Sequence, residues 1–182
     1  MYRYKSRCGD MIFNKLRTRN SIPTLENLLI DTPEHEWIRE DRHLFRFFKE
    51  ALGLLSKDDF DQINRTKTLC FLFSSGKFAS TLSSHEKKQF IILYPEMIYA
   101  IKSVDNTSAF AILFHELGHI YHRHHEKSMS TLEKQHEADF FACRYGFDSE
   151  ILDILYGENK TFEVTKRINK VLEFQKNHHV NQ

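Results

Sequence analysis

Residues 109–120 read AFAILFHELGHI, and this stretch decides how the rest of the chain is read. On a helix, residues four apart share a face, so His115 and His119 can bring two imidazole nitrogens to one metal ion. Glu116, next to the first of them, reaches a water on that ion without binding the ion itself. It can take that water's proton as the water attacks a carbonyl. The six residues before His115 are apolar or small, so the helix is expected in the core. Two His and a Glu buried there need partners, and a metal supplies them. A chance match would be expected on an exposed polar segment. Gly118 costs about 1 kcal/mol in a helix interior, which signals that a strand or a substrate packs close against it.

Upstream, Asp105-Asn106-Thr107-Ser108 offers N-cap chemistry for a helix beginning near Ala109 and running through AFAILFHELGHIYHRHH. Residues 68–73 and 78–82 read as short strands flanking Ser74-Ser75-Gly76-Lys77, a hairpin turn, and 89–94 (QFIILY) as a third strand stopped by Pro95. A short helix is expected over 96–104. Residues 34–55, with Trp37, Ile38, Leu44, Phe45, Phe47, Phe48, Leu52 and Leu55 among charges, read as one amphipathic helix. Downstream, helices are expected over 131–145 with Gly146 at its C′ position, over 151–156, and over 161–176. The fold class is α+β: a small three-stranded sheet packed on the HExxH helix, with additional N- and C-terminal helices.

Catalytic zinc sites use three protein ligands. His125 completes an HExxHxxxxxH spacing, but a continuing helix would carry it about 9 Å along the axis from His119. The following segment, LEKQHEADFFACRYGF (132–147), offers better donors. Here the chain resembles the gluzincin peptidases, and 137–142 (EADFFA) is similar to the corresponding helix of the CaaX-type and ImmA/IrrE-type peptidase families. The resemblance covers roughly 85–147 and rests on two short motifs. It implies a zincin-like fold, a zinc ligand four residues before Asp139, and Asp139 itself supporting a ligand His. It also implies that 89–94 is the edge strand that pairs with an extended substrate.

The chain departs from that pattern at the ligand position, which holds Gln135 and not Glu. Glu137 is two residues on, about 200° round the helix. If residue 135 faces the metal, Ala138, Asp139, Ala142 and Cys143 line that side, and small residues suit close packing. Gln135, Glu137 and His136 all stay open as the third ligand. His122, seven residues after His115, and Tyr145 are candidate donors to the transition state, with Tyr121 and Arg144 beside them. Arg123 to Glu126 read as the solvated end of the helix.

The remaining composition narrows the function classes. The 182 residues are 41% hydrophobic with sixteen Phe, enough for one core. A net charge of +1 from 26 basic and 25 acidic residues gives no general attraction to nucleic acid or acidic membrane. Three distant cysteines, Cys8, Cys70 and Cys143, form no disulfide framework, and a cytoplasmic location is expected. No segment is apolar and long enough to span a bilayer. The expected organisation is a flexible basic N-terminus (1–20), a helical region (21–65), a metallopeptidase domain (66–177) and a tail (178–182). The expected function is zinc-dependent hydrolysis of an extended protein or peptide segment, with one zinc ion per chain and Glu116 as general base. The competing expectation, raised by Gln135, is a regulatory or binding protein that keeps the fold and hydrolyses little or nothing.

Overall fold

A computed structural model describes residues 24–75, 79–83 and 87–179, and the basic N-terminus and the Gly76-Lys77 turn lie outside them. The region read as one helix over 34–55 is three pieces. After α1 (Leu25–Asp31) come a 3-10 turn (Pro33–His35), α2 (Glu36–Arg39) and α3 (Arg42–Leu54). The break has a local cause: Asp41 caps α3, its carboxylate accepting from the amides of His43 (2.9 Å) and Leu44 (3.2 Å). A short α4 (Lys57–Ile63) follows, capped by Ser56.

The sheet contains β1 (Thr68–Phe73), β2 (Ala79–Ser83) and β3 (Lys88–Leu93) in the order β1-β3-β2. β1 and β3 are parallel, whereas β2 is antiparallel to β3, Thr81 lying opposite Ile91. The expected hairpin between 68–73 and 78–82 is therefore corrected, because β2 pairs with β3 and not with β1. The role given to 89–94 is corrected with it: β3 is central, both of its ladders are filled, and it cannot accept another strand. Its alternating burial, with Phe90 and Ile92 less buried than Ile91 and Leu93, suits a strand covered more heavily on one face.

The outer edge of β1 is closed by side chains. His35 accepts from the Phe71 amide at Nε2 (2.9 Å), and Trp37 Nε1 donates to the Phe71 carbonyl (3.3 Å). His35 Nδ1 contacts the Leu28 carbonyl at 2.8 Å, so the buried ring bridges α1 to the sheet. Burial pushes its pKa down, which suits a neutral ring that donates at one nitrogen and accepts at the other.

Beyond the sheet come α5 (Pro95–Lys102), α6 (Thr107–Tyr121), α7 (Thr131–Arg144), α8 (Asp148–Gly157) and α9 (Phe162–His179). α9 includes the backbone of 178 and 179, which were expected in the tail. α6 starts two residues earlier than the composition suggests, with Asp105 accepting from the Thr107 amide at 3.1 Å. Ala109, Ala111, Leu113, Phe114, Leu117 and Ile120 of α6 are buried, placing it in the middle of one core shared with α1 to α5. The fold is α+β and mostly helical. Among the described residues no helix is long and apolar enough to cross a membrane.

Candidate metal centre

α6 and α7 carry the site, and their contact explains its precision. A Cβ at Gly118 would lie 2.8 Å from Phe141 Cβ and 2.9 Å from Ala138 Cα, so only a glycine permits this approach. The neighbour that Gly118 announces is a helix, not a strand or substrate. α7 begins with a capping box, in which Ser130 Oγ accepts from the Glu133 amide and the Glu133 carboxylate accepts from the Ser130 amide. It ends at Gly146, whose φ of 86° is the left-handed conformation expected of a C′ glycine.

His115 and His119 point their Nε2 atoms at one another across 3.1 Å. Each ring's other nitrogen is engaged. His115 Nδ1 lies 2.9 Å from Asp139 Oδ1, and Asp139 is in turn gripped by Arg167 of α9, with Nε to Oδ2 and Nη2 to Oδ1 both at 2.8 Å. Burial alone would raise the Asp139 pKa, but the hydrogen bonds from Arg167 and His115 outweigh it and hold the carboxyl below its usual range. His119 Nδ1 lies 2.7 Å from His124 Nδ1, and His124 Nε2 lies 2.8 Å from Glu137 Oε2. Burial first, then the neighbouring His115 and His124, push the His119 pKa down to about 3, so this ring is neutral at physiological pH.

His124 was expected in the solvated end of the helix, and this is corrected. α6 stops at Tyr121, Arg123 takes a left-handed φ of 53°, and the reversal carries His124 back into the interior, 3% exposed. No glycine marks the turn, so composition around 122–125 carries no stop signal. The only hint is distance: the capping box at Ser130 forces the chain to reverse within a few residues of His122. Arg167 was missed for a different reason, since nothing local distinguishes it from the other cations of α9.

The candidates for a third ligand separate spatially. Gln135 lines a cleft of about 370 Å³ together with Thr81, Glu116, His119, His124 and His125. Thr81 Oγ1 donates to Glu116 Oε2, tying β2 to the candidate base. Glu137 does not join the Nε2 pair. Among the described residues, its carboxylate groups within 4.8 Å only with His122 and His124. His136 lies on the α9 side of α7, with the charges of Asp139, Lys170 and Arg167 around it and a buried Nε2 that has no hydrogen-bond partner. His125 sits beside Glu126 at 3.4 Å.

Neither expected transition-state donor lines this cleft. The Tyr145 hydroxyl donates to Asp59 at 2.5 Å and accepts from the Ser56 amide at 3.2 Å, which makes it a strut between α7 and α4. His122 faces Glu137 at 3.4 Å and stacks on the His124 ring. The cationic and hydroxyl groups that do border the cleft are Lys134 and Thr81.

The pair of Nε2 atoms decides what the arrangement can hold. If His115 donates from Nδ1 to Asp139 and His119 donates from Nδ1 to His124, two lone pairs face each other at 3.1 Å. That separation matches two nitrogens on one zinc at about 2.0–2.1 Å each. The residues present therefore fit a zinc ion. Residues 78–152, which include β2, β3 and both motif helices, match the model of peptidase family M48, a zinc metalloprotease family. The match supports a zinc metallopeptidase of the gluzincin type. No curated protein and no solved structure matches the chain.

Proposed function

We propose that the protein is a zinc-dependent metallopeptidase that cleaves an extended segment of a protein or peptide in the cleft between β2 and α6. The observation that carries this reading is the convergence of His115 and His119 Nε2 at 3.1 Å, each ring fixed through its other nitrogen. In this reading one zinc ion per chain is held by His115, His119 and the amide oxygen of Gln135. Zinc in such a site acidifies water and polarises a carbonyl oxygen. Glu116, oriented by Thr81, takes the proton as water adds to the scissile carbonyl and returns it to the leaving amine. Lys134, at the rim, supports the developing negative charge on the carbonyl oxygen.

The substrate's orientation follows from which sheet edge has no partner strand among the described residues. β1 is covered by His35 and Trp37 and β3 is central, whereas β2 borders the cleft through Ala79 and Thr81. An extended peptide added beside β2 would lie across Glu116 in a zincin-like manner. The buried free thiols Cys70 and Cys143 support a reducing, cytoplasmic setting.

Gln135 favours a second reading, a zinc-holding module with weak hydrolysis, because an uncharged amide is a poorer ligand than a carboxylate. Two measurements on the full chain separate the readings. Glu116→Gln should leave zinc content unchanged and lower cleavage of an unfolded casein substrate by about a hundredfold or more. Wild-type protein that carries zinc and cleaves no faster than Glu116→Gln would leave the binding module standing. A folded chain that takes up no zinc would overturn both.

A further inference from the structure

We propose that His122, His124 and Glu137 form a second, weaker zinc site whose occupation excludes zinc from the His115–His119 pair. The donor atoms of the three residues lie within 4.8 Å of one another. Glu137 Oε2 is 2.8 Å from His124 Nε2 and 3.4 Å from His122 Nδ1, spacings suited to ligands of a single ion. The two imidazoles are stacked, 10° from parallel with centroids 5.4 Å apart. His122 and Glu137 are 27% and 38% exposed at the side chain, which leaves the cluster open to an ion from solvent. It stands outside the set of His115, His119 and Gln135, and its ion would not touch Glu116.

Exclusion follows from proton placement in the bridge joining the sites. His119 Nδ1 and His124 Nδ1 are 2.7 Å apart, so the contact holds one proton and not two. With that proton on His119, its Nε2 lone pair faces His115, and His124 must carry its own proton on Nε2, donated to Glu137. With the bridging proton on His124, the His124 Nε2 lone pair is free for an ion beside Glu137. His119 then carries its proton on Nε2, donated across 3.1 Å to His115. Both arrangements hold two protons on the two rings, so the exchange is a tautomeric switch with no net protonation. Zinc on both Nε2 atoms would place two N–H groups against each other in the bridge. The second site is the weaker one because His122 and Glu137 are partly exposed, whereas His115 is held in place by buried Asp139 and, behind it, Arg167.

The exclusion rests on the zinc reading of His115 and His119, whereas the second site does not, and zinc binding by dialysis separates them. Wild-type chain should bind zinc tightly to a plateau of one per chain. His115→Ala, or His115→Gln where the alanine variant does not fold, vacates the first site and keeps the bridge. It should still bind one zinc, about tenfold more weakly than wild type. That residual zinc should disappear in His115→Ala/His122→Ala and in His115→Ala/Glu137→Gln. A folded His115 variant that binds no zinc at up to about a hundred times the wild-type dissociation constant would overturn the second site. So would residual zinc that survives both double variants. A wild-type plateau of two would overturn the exclusion. Wild-type zinc that ignores His115→Ala and is lost with His122→Ala would keep the second site while removing the basis of the proposed peptidase.

Discussion

A methyl group at position 118 would meet two atoms that cannot move aside cheaply, Phe141 Cβ at 2.8 Å and Ala138 Cα at 2.9 Å. The second belongs to the α7 backbone, so Gly118→Ala must push α7 away from α6 and carry Gln135 and Asp139 with it. The expected cost is about 1–3 kcal/mol, read from urea denaturation, with a parallel loss of zinc affinity. An unchanged midpoint would mean that the helices are not held this closely in solution. Spacing along the two helices already marks this contact. The pattern Ala138, Asp139, Ala142 and Cys143 marks the buried side of α7, and all four are buried. It could not reach His124, whose neighbours in sequence are charged and whose partners are thirteen residues on and five residues back.

At the scale of elements, the end of α6 matters more than its beginning. Arg123 adopts φ 53°, which costs an L-residue about 1–2 kcal/mol, and the turn it makes is what returns His124 to His119. Arg123→Gly should therefore hold or raise the melting temperature, whereas Arg123→Val, branched at Cβ, should lower stability by about 1 kcal/mol and weaken zinc binding. Equal melting temperatures for the two variants would count against a left-handed turn here. Elements marked by strong local chemistry were legible: Pro95 stops β3 and stands at the start of α5, and Gly146 closes α7. Strand order was not, because the apolar runs 68–73 and 89–94 look alike, and nothing local says which is central. Filling both ladders of β3 requires β2 to cross to the far edge, a decision made by packing on α6.

Across the whole molecule, the ends of the described chain converge on its middle. His35, near the start, seals the edge of β1, and Arg167, in the last helix, grips Asp139 behind His115. Asp139 is 1% exposed and Arg167 14% at the side chain, so Arg167→Met strands a buried carboxylate. The expected loss is about 3–5 kcal/mol, read from denaturant unfolding. Arg167→Lys should lose less, because it keeps the charge and gives up only the two-pronged geometry. Lysine and methionine variants of equal stability would indicate that the ion pair is not what secures α9 against α7.

The placement of His115 and His119 on one face, with Glu116 beside them, was determined by the sequence itself, since a four-residue spacing on any helix sets two imidazoles together. The same is true of the α+β class and of the close contact at Gly118, which follow from periodicity and from the cost of glycine in a helix. The resemblance already put Asp139 behind a ligand His, but which His it orients, and the parts of Arg167, His124 and Glu137, were decided only by the tertiary structure. Asp139, Arg167, His124 and Glu137 act through contacts between separate helices, and a contact between distant segments depends on how the whole core packs. The sheet edge left without a partner strand among the described residues was decided the same way. Every strand begins with two edges, and only the burial of β1 beneath His35 and Trp37 and of β3 between its neighbours leaves β2 facing the cleft.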